Sequence, residues 1–204
     1  CKRFAWKLGQ LKDALSASQA ATAKEGWYPI FFENHDQNRA MHRYFPEGTD
    51  PKVAAKALAT VLFTLRGTPF VYEGEEIGMT NTAFPKIEDY NDISTHGQYE
   101  YAIKEGLSPE EALKAVQFQS RDNARTPMQW TRDTNAGFTT GKPWLPVHKD
   151  FMDCCVEAES EDGTSVLSYY RQMNRERTEG KASKILLQGS YEELLHEDEH
   201  VYAF

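Results

Sequence analysis

The order of apolar and polar positions divides the chain into helical and strand-like segments. Across residues 8–24, apolar side chains fall at Leu8, Leu11, Leu15 and Ala20 or Ala21, which predicts an amphipathic helix with a modest stripe, ended near Gly26. Residues 27–32 read as a buried strand rich in aromatic and apolar side chains. Asp50-Pro51 is a helix start, with a capping carboxylate and proline at the first helical position. Val53, Ala54, Ala57, Leu58, Val61, Leu62 and Leu65 then form a wide apolar face that Gly67 closes. Residues 68–72, T-P-F-V-Y, predict a short strand buried on both faces. From 78 to about 162 the periodicity is lost, apart from short helical pieces at 87–92 and 109–119. Residues 165–179 return to helical spacing through Val166, Leu167, Tyr169, Tyr170 and Met173. From 184 onward the pattern reads as antiparallel strands, with a boundary near Gly180.

Helix, strand, helix, strand, with polar clusters at the strand ends, is the order of a parallel α/β sheet or barrel. Ligands bind such folds at the carboxyl ends of the strands. His35, Asp36, Glu73, Glu75 and Glu76 all lie at such ends.

Composition narrows the function classes. The chain has 204 residues and a net charge of −8 without a long basic run, which argues against nucleic acid as a partner. No apolar stretch approaches the roughly 20 residues of a membrane span, and no secretory signal opens the chain. Cys1, Cys154 and Cys155 suit neither a disulfide framework nor a zinc site, so a reducing cytoplasm is the expected compartment. No metal or cofactor is assigned. The first residue is Cys, and the last, His200-Val201-Tyr202-Ala203-Phe204, stop without a turn, so both ends read as cut from something longer.

The candidate chemistry gathers in F-F-E-N-H-D-Q-N-R, Phe31 to Arg39. Adjacent Asp, His, Arg and Asn side chains suit paired sugar hydroxyls, and aromatic faces cover the apolar side of a sugar ring. Asp36 beside His35 suits one hydroxyl pair, and Arg121 or Arg125 another hydroxyl or a carboxylate. Glycoside hydrolysis needs two carboxyls, and Asp36 with Glu33, Glu73, Glu75 or Glu76 is one reading. The plainer readings are a surface pair between Glu33 and Arg39, loop-anchoring acceptors at Glu75 and Glu76, and packing roles for Trp130, Trp144, Tyr169 and Tyr170.

Four motifs carry a resemblance. N-H-D-Q-N-R at 34–39, G-T-P-F-V-Y-E-G-E-E-I-G-M-T-N at 67–81, R-D-N-A-R-T-P-M-Q-W at 121–130 and A-G-F-T-T-G-K-P-W at 136–144 are similar, in order and spacing, to segments of glycoside hydrolase family 13, the α-amylase superfamily. The similarity is to its oligo-1,6-glucosidase, α-glucosidase and trehalose-6-phosphate hydrolase branch. It implies the carboxyl-terminal part of a TIM barrel, strands seven and eight with their helices, over residues 1–179 with a long loop at about 75–162. Residues 180–204 would begin an all-β C-terminal domain. It further implies that Asp36 is the transition-state stabiliser, that His35 and Arg121 bind the same terminal glucose, that Arg39 is a supporting ion-pair residue, and that Glu75 is structural. Asn38 stands where this branch often has Pro, and Glu73 where Gln is common. The nucleophile and the acid/base are absent from the chain. The resemblance therefore implies part of a retaining exo-acting α-glucosidase with an oligosaccharide substrate, inactive without the rest of its barrel. A non-enzymatic transporter heavy-chain relative and a free-standing sugar-binding module are the competing classes.

Overall fold

The computed structural model describes residues 6–204. Cys1 lies outside them. The elements run α1 (Leu8–Ala21), β1 (Pro29–Ile30), α2 (Ala40–Tyr44), α3 (Pro51–Thr64), β2 (Thr68–Pro69), α4 (Ile93–Lys104), α5 (Pro109–Gln117), α6 (Val156–Glu161), α7 (Val166–Thr178) and α8 (Ser183–Gln188). Helix dominates. The two strands are parallel, with Pro29 opposite Thr68 and Ile30 opposite Pro69, and α2 and α3 lie in the connection between them.

The Asp50-Pro51 start forms as its residues dictate: the Asp50 carboxylate accepts the Lys52 amide and Pro51 occupies the first turn. The α3 face of Ala54, Ala55, Leu58, Ala59, Leu62 and Phe63 packs with Ile30, Phe32, Leu65, Val166 and Tyr170 into the main core. Arg177 of α7 is buried against the other end of α3. Its guanidinium donates to the Phe63 and Leu65 carbonyls at 2.7 and 2.9 Å and also to that of Gly67. The Phe63 and Leu65 carbonyls are among those that the helix C-terminus leaves open, and a cation there also suits the helix dipole.

Both strands are shorter than their patterns predict, and their faces are not all buried. Thr68 donates to the Tyr28 carbonyl and Phe70 to that of Ile30, both at 2.8 Å, and the ribbon goes no further. Trp27, Phe31, Phe70 and Val71 are exposed, so 68–72 is not a strand covered on both faces and Phe31 is not core. Phe31, Phe70 and Val71, with Pro29, Glu33, Asn34 and Tyr72, line an open groove of about 360 Å3.

Three further expectations are corrected. The stretch after 78 contains a full helix, α4, whose polar composition (I-S-T-H-G-Q-Y-E-Y-A-I-K) hides it from a periodicity reading. The predicted piece at 87–92 is only a 3-10 turn, Ile87–Asp89. Residues 183–188, read as strand, form α8, because a short apolar run such as I-L-L fits either state until packing decides. Of the expected antiparallel pairing, one isolated bridge joins Leu194 to Ala203.

The segment after α8 lies on α1. Lys12, fully buried, donates its ammonium protons to the carbonyls of Leu195, His196 and Asp198 at 2.8, 3.1 and 2.7 Å. Ser16 lies 2.8 Å from the Tyr191 hydroxyl. Among the described residues no helix is long and apolar enough to cross a membrane, and no group of three or more His, Cys, Asp or Glu could hold a metal ion.

Candidate sugar-binding site

The site is built on the turn that follows β1. Asn34 accepts the Asp36 amide through its side-chain oxygen at 2.9 Å, a local Asx turn that lifts His35 and Asp36 out of the core. Both are exposed at their side chains, 71% for His35 and 55% for Asp36. Ligand groups can therefore reach them.

Four side chains converge here. His35 Nε2 lies 3.3 Å from Asp36 Oδ2. On the other carboxylate oxygen, Oδ1, Arg121 Nη1 lies at 3.3 Å and Arg125 Nη2 at 3.2 Å. Arg125 also donates Nε to the His35 carbonyl at 2.9 Å, which fixes the turn itself. The fold thus brings the predicted residues His35, Asp36 and Arg121 together, and places Arg125, the alternative to Arg121, on the same carboxylate oxygen. Two guanidiniums beside one exposed carboxylate form a charged, donor-rich surface that suits adjacent hydroxyls.

Arg121 is held from behind. It sits in the 3-10 turn Arg121–Ala124 and donates Nε and Nη2 to Asp92 Oδ1 at 3.1 and 2.5 Å. Asp92 caps α4 and is buried. Burial alone pushes its carboxyl up, but Arg121, the Thr95 hydroxyl and the Ser94 amide outweigh that and hold it at about 2. The same partnership raises the Arg121 guanidinium further above its ordinary range. Asp92 was missed in the sequence. Its one local signal is a capping carboxylate, and that says nothing of a partner 29 residues away.

Arg39, the predicted support, is buried. It donates Nη1 to Glu33 Oε2 at 2.9 Å and to the Glu73 carbonyl at 2.8 Å, and Nε to the Asn123 carbonyl at 3.3 Å. Glu33 Oε1 accepts the Ala40 amide at 2.7 Å. This is an internal strut joining the ends of β1 and β2 to the Arg121 turn, and the surface-pair reading of Glu33 and Arg39 is wrong. Asn38 is buried too, donating its amide to the Phe118 carbonyl at 2.9 Å. A proline there could not make that bond.

The other carboxylates serve the scaffold. Glu75 accepts the Tyr72 amide and the Tyr170 hydroxyl, both at 3.1 Å, and Glu76 accepts the Gly74 amide at 2.8 Å. Burial, then the Glu33 charge, push the Glu75 carboxyl up to about 8. Anchored in this way, neither Glu33, Glu75 nor Glu76 is free to act beside Asp36. Trp130 and Trp144, read as packing residues, are instead exposed.

A sequence model of the alpha-amylase catalytic domain matches residues 2–189. The chain belongs to the alpha-amylase family. The match runs past Gly180 and takes in α8. Over 200 residues the chain is 42% identical to an oligo-1,6-glucosidase of Parageobacillus thermoglucosidasius, covering 98% of this chain and 35% of that protein. Over 196 residues it is 37% identical to the trehalose-6-phosphate hydrolase of Bacillus subtilis strain 168, covering 96% and 34%. Among solved structures, a mutant trehalose-6-phosphate hydrolase of Bacillus licheniformis superposes with a TM-score of 0.90 at 36% identity, over 97% of this chain and 35% of that one. The trehalulose synthase of Pseudomonas mesoacidophila MX-45 superposes at 0.86 and 38% identity, over 98% and 36%. The fold neighbours are TIM-barrel enzymes, and the chain spans about a third of the length of these relatives.

Proposed function

We propose that this alpha-amylase-family chain is the carboxyl-terminal part of the barrel of a retaining exo-acting α-glucosidase. In it, the turn after β1 is the wall that grips the terminal α-linked glucose of a short oligosaccharide. β1 and β2 are barrel strands seven and eight, α3 the helix between them, α7 the last barrel helix, and the residues after α8 the entry to a C-terminal domain. Two strands cannot close a barrel, and the exposed row of Trp27, Phe31, Phe70 and Val71 is where further strands pack.

One observation carries the reading: an exposed Asp36 carboxylate bracketed by His35, Arg121 and Arg125 at a strand end. Asp36 holds two hydroxyls of the glucose and favours distortion toward the oxocarbenium-like transition state. His35 and Arg121 hold the same sugar. On the family resemblance, the nucleophile and the acid/base belong to barrel strands outside these 204 residues, and the chain alone then does not turn over. The branch of its relatives suggests α-1,6-linked substrates.

The test is hydrolysis of p-nitrophenyl α-glucoside, isomaltose, maltose, sucrose and trehalose 6-phosphate by the intact protein that carries this chain. Asp36→Asn is expected to lower kcat by about 10²–10³-fold or more. Turnover by the isolated chain, or near-normal turnover by the intact Asp36→Asn protein, would refute the reading.

A further inference from the structure

We propose that Asp92 is a positioning residue that aims Arg121, keeping one edge of its guanidinium toward the sugar and the Asp36 carboxylate open to receive hydroxyls. The sugar half of this inference rests on the proposed function. The aiming half does not.

Arg121 is a long, part-exposed side chain beside an exposed carboxylate. Left to itself, a guanidinium in that place would close onto Asp36 with two parallel hydrogen bonds and take up both oxygens. That closure does not occur here. Nε and Nη2, one whole edge of the fork, are taken by Asp92 Oδ1, and only Nη1 faces Asp36, at a loose 3.3 Å. Asp92 therefore competes for the cation. Among the described residues, the competition leaves Asp36 Oδ2 facing His35, at 3.3 Å.

Asp92 can do this because it cannot move. Its Oδ2 receives the Thr95 hydroxyl at 3.0 Å and its Oδ1 the Ser94 amide at 3.1 Å. Thr95 Oγ1 lies 2.8 Å from Ser120 Oγ, which accepts the Asp122 amide at 3.2 Å. Asp122 in turn accepts the amides of Asn91 and Asp92 at 2.7 and 2.9 Å. Residues 91–95 and 120–122 thus grip each other at both ends, and the Arg121–Asp92 pair lies within that ring. These bonds tie the start of α4 to the Arg121 turn.

Two measurements test this. In the intact protein that carries this chain, 15N-labelled at arginine, the Arg121 Nε–H should give a resolved, exchange-protected resonance at neutral pH. That resonance should be lost in Asp92→Asn and regained at least in part in Asp92→Glu. An unchanged resonance in Asp92→Asn overturns the aiming role. In the intact protein, Asp92→Asn should raise KM for p-nitrophenyl α-glucoside by about tenfold, a shift of the size expected for a misplaced binding group. Thr95→Val, which removes the brace on Asp92 and the Ser120 contact while leaving the Arg121–Asp92 pair, should give a smaller rise, and it carries the kinetic test if Asp92→Asn does not fold. An unchanged KM in the folded variants overturns the inference. If Asp36→Asn is equally silent, the sugar-site reading itself has failed; if Asp36→Asn is damaging while Asp92→Asn and Thr95→Val are silent, only the role of Asp92 has.

Discussion

Arg39 Nη1 sits 2.9 Å from Glu33 Oε2 with both side chains buried, directly beneath the turn that presents His35 and Asp36. Charges this deep are stable only as a fully bonded set, and here the partners are the Glu73 and Asn123 carbonyls and the Ala40 amide. Removing one partner strands the other. Glu33→Ala should therefore cost about 3–5 kcal/mol in urea unfolding. The double change Glu33→Gln with Arg39→Met should cost less than the sum of the two single changes, since no buried charge remains. Simple additivity would show that the two charges do not depend on each other.

Glu75 predicts a pH dependence. Its carboxyl titrates at about 8 in the folded chain, against an ordinary value of 4.5. Between those values the folded state holds a proton that the unfolded chain has released. Stability from this group is thus complete below about pH 4.5 and is lost as pH rises through about 8. The loss should amount to a few kcal/mol, since each tenfold change in proton affinity is worth about 1.4 kcal/mol. Glu75→Gln keeps an acceptor for the Tyr72 amide and removes the titration. Its chemical-denaturation stability should be flatter across pH 5–8 than that of the parent chain. Parallel pH profiles would assign the slope to another group.

Lys12 predicts a local effect. Its three carbonyl partners, Leu195, His196 and Asp198, lie on the segment after α8. Lys12→Met leaves those acceptors without their donor while keeping an unbranched apolar stem of similar length on α1. Limited proteolysis should then cut within 190–204 several-fold faster, with α3 and α7 still protected. Equal cleavage rates would mean that the Tyr191 and Ser16 contacts hold the segment without Lys12.

Much of this arrangement could be read from the chain. Asp50-Pro51 and the apolar face after it fix α3, because a cap and a stripe are local properties. Ser108, with Pro109 and Glu111 after it, fixes the start of α5 in the same way, as a reciprocal capping box. The cluster from Glu33 to Arg39 marked the site, and its motifs marked the family. By contrast α4 was invisible, since its surface is polar almost all round, and α8 was misassigned, since three apolar residues suit strand and helix equally.

Local sequence thus settled which segments are helical where caps and stripes are strong, and pointed to the candidate side chains for the chemistry. Tertiary structure alone decided which charges are buried and which carboxylate is left exposed. It turned Glu33 and Arg39 into an internal strut, brought Arg125 onto Asp36 across 89 residues of chain, and set Asp92 behind Arg121. The physical reason is that caps and stripes depend on near neighbours. Burial and pairing of a charge depend on which distant segments the fold lays beside it, and no local pattern records that.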